Sequence, residues 1–183
     1  MNKHILFIQG GGEGGYEADK ALVASLQTAL GNAYDIHYPE IKPDESAPAF
    51  GWLPQIGKNI SEATSDVILV GHSFGASMLL KYLSENPVHK KITGIFLIAT
   101  PFWNGNEDWQ TGLKLQENFA AGLPAGVPVF FYHCADDEEI PFSHLDHYKQ
   151  HLPQAGFREI KKGGHQLNND LTVVANDIQS PVT

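Results

Sequence analysis

The sequence predicts an α/β protein, a three-layer sandwich in which a mostly parallel sheet of about six strands is flanked by helices. Three observations predict it. Short apolar runs alternate along the chain with longer stretches of helical spacing. The runs at residues 4–9, 66–71, 92–99 and 127–133 are the most apolar, as strands covered on both faces must be, which makes them central. A length of 183 residues suffices for one substantial core and is short for two, so residues 1–183 are read as a single domain.

The first strand, residues 4–9, carries Ile5, Leu6, Phe7 and Ile8 and runs into the glycine-rich stretch 10–15. Residues 16–30 follow as a helix, because Ala18, Ala21, Leu22, Leu26, Ala29 and Leu30 recur at helical spacing and Gly31-Asn32 closes it. Residues 34–38 form the second strand. The same reasoning places helices at 52–63, 74–84, 108–121, 142–151 and 167–178, with strands at 66–71, 92–99, 127–133 and 157–161 between them. Asn86-Pro87 and Leu152-Pro153 stop two of the helices. No internal repeat is present.

Twelve Lys and Arg against 21 Asp and Glu give a formal charge of −9, and the cations form no run longer than Lys90-Lys91 or Lys161-Lys162. Such a surface suits solubility and is a poor partner for nucleic acid or an anionic membrane. Cys134 is the only cysteine, which excludes an intramolecular disulfide and fits a reducing compartment. The apolar run Ile5-Leu6-Phe7-Ile8 is too short for a secretory signal, and no run approaches the roughly 18 residues of a spanning helix. The expectation is a soluble cytoplasmic protein.

Gly71-His72-Ser73-Phe74-Gly75 stands between the buried strand at 66–71 and the helix at 74–84. A serine on a sharp strand-to-helix turn projects its hydroxyl from the top of the sheet, and the flanking glycines let strand and helix backbones approach closely. Serine alone is a weak nucleophile and needs a base and an orienting acid later in the chain. The strand at 127–133 empties into Asp136-Asp137-Glu138-Glu139-Ile140-Pro141, and the strand at 157–161 into Lys162-Gly163-Gly164-His165. His165 is the candidate base. Asp137, three residues before Ile140, is the candidate acid, with Asp136 as the alternative. His72 is expected to point away from the active face and to serve packing.

The loop Gln9-Gly10-Gly11-Gly12-Glu13-Gly14-Gly15 formally satisfies Gly-x-Gly-x-x-Gly, a dinucleotide fingerprint, but so glycine-rich a loop matches cheaply, and a nicotinamide cofactor would leave Ser73, Asp137 and His165 unexplained. The preferred reading is that Gly11, with Gly10 and Gly12 as neighbours, supplies one backbone donor of an oxyanion hole and Phe74 the other. A Walker motif is excluded, because Tyr16 and Glu17 stand where Lys and Ser or Thr are required. His144, His147 and His151 recur at helical spacing without carboxylate-rich or cysteine partners and read as a polar helix face, so no metal is expected. Trp103 and Trp109 are candidate substrate contacts, or equally core for the helix at 108–121.

With these residues the chain resembles the α/β-hydrolase superfamily from His4 to Ile178. It is most similar to small capless serine hydrolases related to retinoblastoma-binding protein nine and to their bacterial esterase-like relatives. The resemblance rests on Gly71-His72-Ser73-Phe74-Gly75, Trp52-Leu53-Pro54, Asp136-Asp137 before Ile140-Pro141, and Gly164-His165. It implies a minimal α/β-hydrolase fold whose cap is a very short segment at about 100–126. It also implies a triad of Ser73, Asp137 and His165, no cofactor, and esterase-like cleavage of a small-molecule acyl substrate. Some relatives are named for a protein partner, which leaves a binding or scaffold role as the alternative. The chain departs from the pattern at Gln9-Gly10, where many hydrolases carry His-Gly, and this leaves the loop donor open.

Overall fold

In the computed structural model, which describes residues 2–64 and 66–180, six parallel strands pair in the order β2-β1-β3-β4-β5-β6. They are β1 (Lys3–Ile8), β2 (Tyr34–His37), β3 (Val67–His72), β4 (Ile92–Ile98), β5 (Val129–Cys134) and β6 (Gly156–Ile160). The four runs read as central occupy the four central places. The helices are α1 (Gly15–Leu30), α2 (Trp52–Glu62), α3 (Ser73–Glu85), α4 (Phe119–Gly122), α5 (His144–His151) and α6 (Thr172–Gln179).

Alternate residues of each strand face opposite layers, and two cores result. On one face Leu6, Ile8, Leu69, Ile95, Leu97 and Phe131 pack against Ile56 and Ile60 of α2, Leu79 and Leu83 of α3, and Leu145 and Tyr148 of α5. On the other, Ile5, Phe7, Ile68, Val70, Phe96, Ile98 and Tyr132 pack against Leu22, Leu26 and Leu30 of α1 and Val174, Ala175 and Ile178 of α6. Helix α3 is buried on most sides, and truncating Leu79 to alanine is worth roughly 2–5 kcal/mol. None of the described helices is long and apolar enough to cross a membrane.

The helix expected at 108–121 is a correction. A 3₁₀ turn spans Asp108–Leu113, Lys114 is extended, and only Phe119–Gly122 is α-helical. The buried residues there are Leu113, Leu115 and Phe119, whose spacing keeps no single helical stripe, and Gly112 weakens the interior. The extended backbone instead offers the Lys114 carbonyl to Lys81 Nζ at 2.7 Å. The helix expected at 167–178 is likewise split. Leu167, Asn168 and Asn169 have φ near +50°, and α6 starts only after Asp170 Oδ1 accepts the Thr172 N–H at 2.9 Å.

Candidate active site

Parallel strands bring the loops at their C-terminal ends together, and the sequence-predicted residues gather at that edge. Ser73 ends the β3 turn with φ +52°, a left-handed backbone that costs a non-glycine residue roughly 1–2 kcal/mol. The flanking glycines make room for it: a Cβ on Gly71 would stand 2.8 Å from Ala76 Cα, and one on Gly75 would run into the Gln9 carbonyl. Gly11 leans on the same turn, where an added Cβ would lie 2.9 Å from Phe74 Cβ. The Gly10 N–H already donates to Asp19 Oδ2 at 2.7 Å, so among these glycines Gly10 has no donor to spare for a ligand.

The acidic run after β5 builds the histidine loop. Asp136 Oδ1 accepts the N–H groups of Gly163 and Gly164, both at 2.9 Å, and Glu138 Oε2 accepts the His165 N–H at 2.9 Å. Asp137 is the acid that reaches the ring, with Oδ2 3.0 Å from His165 Nδ1. Its Oδ1 also accepts the Glu139 and Ile140 N–H groups at 2.9 and 2.8 Å. Burial pushes the fully enclosed Asp137 carboxyl up, but hydrogen bonds from His133, His165 and the two amides outweigh it and hold the group well below the usual carboxylate range. Burial also opposes charge on His165, yet the Asp137 hydrogen bond and the nearby Asp137, Glu139 and Glu138 charges raise its pKa.

Ser73 directly follows His72, whose ring centre lies 4.8 Å from that of His165. Among the described residues no hydrogen bond joins Ser73 Oγ to His165 Nε2, which has Glu139 Oε2 at 3.5 Å. Such bonds are often long without substrate and tighten around it. A cavity of about 870 Å³ opens over Ser73. Its apolar wall includes Phe50, Trp52, Phe74, Trp103 and Trp109, the last half exposed, and the rings meet edge to face in a chain from Phe50 through Phe74 and Trp103 to Trp109. The charged residues lining it are all glutamates: Glu13, Glu17, Glu40, Glu45 and Glu139.

A family model described as serine hydrolase matches residues 23–171, a span holding Ser73, Asp137 and His165. The chain belongs to the serine hydrolase family. No match is found among curated proteins. A hydrolase of the alpha/beta superfamily from Xanthomonas campestris shares 20% identity, with 96% of this chain and 95% of that one covered and a TM-score of 0.66. The esterase domain of a Rhodothermus marinus protein shares 14%, with 96% and 84% covered and a TM-score of 0.66. The thioesterase domain from the curacin biosynthetic pathway shares 17%, with 98% and 92% covered and a TM-score of 0.72. At these identities the likeness is one of fold, the α/β-hydrolase fold.

This serine hydrolase also holds polar groups that sequence reasoning passed over. Asp19 is buried on α1 and bound to His72, which is tied at both ring nitrogens instead of merely packing. The signal was present: Asp19 falls on the stripe of Leu22, Leu26 and Leu30, where a carboxylate needs a partner. His133 Nε2 lies 3.0 Å from the Ile140 carbonyl and 3.3 Å from Asp137 Oδ2, giving that acid a second histidine. His144 Nδ1 accepts the Phe102 N–H at 2.9 Å, while His147 and His151 stack on the Phe102 ring. Trp103 donates its indole N–H to Ser77 Oγ at 3.0 Å.

Proposed function

We propose that this serine hydrolase cleaves an acyl bond, most readily a carboxylic ester, through an acyl-enzyme on Ser73. The observation that carries the reading is the buried Asp137–His165 pair on loops beside a strained Ser73. His165 Nε2 takes the Ser73 proton as Oγ attacks the carbonyl carbon, and Asp137 fixes the Nδ1–H tautomer and stabilises the imidazolium. The N–H groups of Phe74 and Gly11 receive the oxyanion, each worth on the order of 3 kcal/mol in the transition state. The imidazolium then protonates the leaving alkoxide. Water, deprotonated by His165, attacks the acyl carbon in turn and releases the acid and free Ser73.

Thioesters and amides would follow the same route. The wall of rings suits an apolar or aromatic acyl group, and the glutamate rim favours neutral or cationic substrates over anionic ones. The reading takes the chain as one cytoplasmic domain, with 100–126 as its small cap and a small-molecule acyl substrate as its partner. It calls on no cofactor, metal, nucleic acid or membrane. The position of Glu139 Oε2 beside His165 Nε2 is the observation favouring the alternative, a non-catalytic α/β-hydrolase-fold binding or scaffold protein.

Labelling with a fluorophosphonate probe decides between them. The expected result is an adduct located on Ser73 by peptide mass, absent in Ser73→Ala and strongly reduced in His165→Ala. A folded protein that does not label overturns the hydrolase reading.

A further inference from the structure

We infer that Asp19 is a positioning residue that holds the oxyanion loop, the nucleophile turn and the base loop in register, acting through His72. The inference rests on the catalytic roles proposed above. Asp19 is 1% exposed on a helix that otherwise buries leucines. An unpaired carboxylate there would be strongly destabilising, so its donors are required, and their origin is informative. Its Oδ2 accepts the Gly10 N–H at 2.7 Å and lies 2.9 Å from His72 Nδ1, while Oδ1 accepts from Gln166 Nε2 at 3.3 Å. Gly10 follows β1, His72 ends β3 and Gln166 follows β6. Each is the immediate neighbour of a proposed active residue: Gly11, Ser73 and His165.

A fourth bond closes the arrangement. His72 Nε2 donates to the backbone carbonyl of His165 at 3.1 Å. A carbonyl only accepts, so Nε2 carries hydrogen, and the other ring nitrogen, Nδ1, faces the Asp19 carboxyl. The result is a buried Asp19–His72 pair that links α1 through the nucleophile turn to the base loop. Stability alone would be served as well by apolar side chains on that stripe, whereas the pair makes three further hydrogen bonds, to the Gly10 N–H, the Gln166 side chain and the His165 carbonyl, each at or next to a proposed active residue. A misplacement of about 1 Å at such a site costs on the order of 10²-fold in rate.

The test compares Asp19→Asn with Asp177→Asn in the full chain, using short-chain ester turnover, fluorophosphonate labelling rate and thermal midpoint. Asp177 pairs with Arg158 and Tyr132 outside the proposed machinery and serves as a control for lost stability. Asp19→Asn is expected to lower kcat and labelling rate together by about 10²-fold, with KM changed less than about threefold. Asp177→Asn is expected to lower the midpoint and leave kcat intact. In a double-mutant cycle Asp19→Asn is expected to add little to His72→Gln, since the two act in one chain of bonds. Should Asp19→Asn not fold, Gln166→Ala removes one donor from a half-buried position and is expected to cut kcat about threefold to tenfold at constant KM. Wild-type kcat in Asp19→Asn, or in Gln166→Ala where that variant is used, overturns the inference, as does a kcat loss that merely follows the fraction unfolded. A wild-type protein that does not label overturns the hydrolase reading and the role of Asp19 with it, whereas a wild-type protein that labels beside variants that react at the wild-type rate removes only the positioning.

Discussion

Gly11 lies so close to Phe74 that a Cβ on Gly11 would stand 2.9 Å from Phe74 Cβ. Real Cβ contacts almost never come so near, so a side chain at Gly11 must push the loop off the nucleophile turn. Both proposed oxyanion donors sit at that contact. Gly11→Ala is therefore expected to lower kcat by about tenfold to a hundredfold with little change in KM, because the lost interaction belongs to the transition state. Steady-state kinetics on one neutral ester checks this, and an unchanged kcat would place the second donor elsewhere.

The strands, which four of them are central, and the Ser73 turn were legible because their signals are local: apolar runs, helical spacing and a glycine on each side of the serine. The 108–121 segment was misread because its buried Leu113, Leu115 and Phe119 answer to the face of α3 and not to a helix of their own. In the four-acid run 136–139 the spacing to Ile140 favours Asp137 over Asp136 for the ring, but the amide partners of Asp136 across the chain carry no local signal. The Asp19 network escaped for the same reason, since Gly10, Asp19, His72 and Gln166 are joined by no local pattern.

Activity is expected to fail on the acid side at a higher pH than an unperturbed histidine would set. The proposed base must be neutral, and Asp137, Glu139 and Glu138 raise the pKa of His165 against the effect of burial. Removing those charges moves the acid limb of kcat/KM to lower pH. Glu139→Gln shifts the limb with kcat nearly intact, whereas Asp137→Asn shifts it and also lowers kcat by about 10³–10⁴-fold, because the ring loses its tautomer control. Stability runs the other way for the two partners. The raised His165 contributes stability fully below its unfolded value and loses it as pH rises through the folded pKa. The depressed Asp137 contributes above its unfolded value, about 3.9, and loses it as pH falls. A pH–rate profile whose acid limb is the same in wild type and Glu139→Gln would refute the electrostatic account.

The cavity's charged lining consists of exposed glutamates, and two of them are paired with lysines outside the lining: Glu17 with Lys20 at 2.7 Å and Glu40 with Lys42 at 3.8 Å. The remaining field favours cations, but water and salt screen it. Choline butyrate is accordingly expected to exceed its neutral isostere, 3,3-dimethylbutyl butyrate, by about fivefold in kcat/KM at low ionic strength. The ratio should fall toward one at high salt, and Glu13→Gln with Glu45→Gln should lower it further. Equal rates for the two esters at low salt would show that the rim does not select charge.

Trp103 and Trp109 line the same cavity but are held differently, which separates their expected effects. Trp103 is half buried, donates to Ser77 and touches Phe74, so Trp103→Ala opens a void under the cavity wall and removes a donor from the Ser77 hydroxyl, which keeps its own bond to the Phe74 carbonyl. A stability loss of roughly 3 kcal/mol is expected alongside any change in substrate preference. Trp109 is 50% exposed and its indole N–H donates to the exposed Glu107 side chain two residues before it, so its removal costs the fold little. If its ring contacts the acyl group, Trp109→Ala raises KM for long-chain esters several-fold and leaves acetate esters unchanged. Measuring kcat/KM from acetate to octanoate in the two variants reads this directly. Unchanged chain-length preference in both would remove the tryptophans from acyl recognition and leave them as cover for α3.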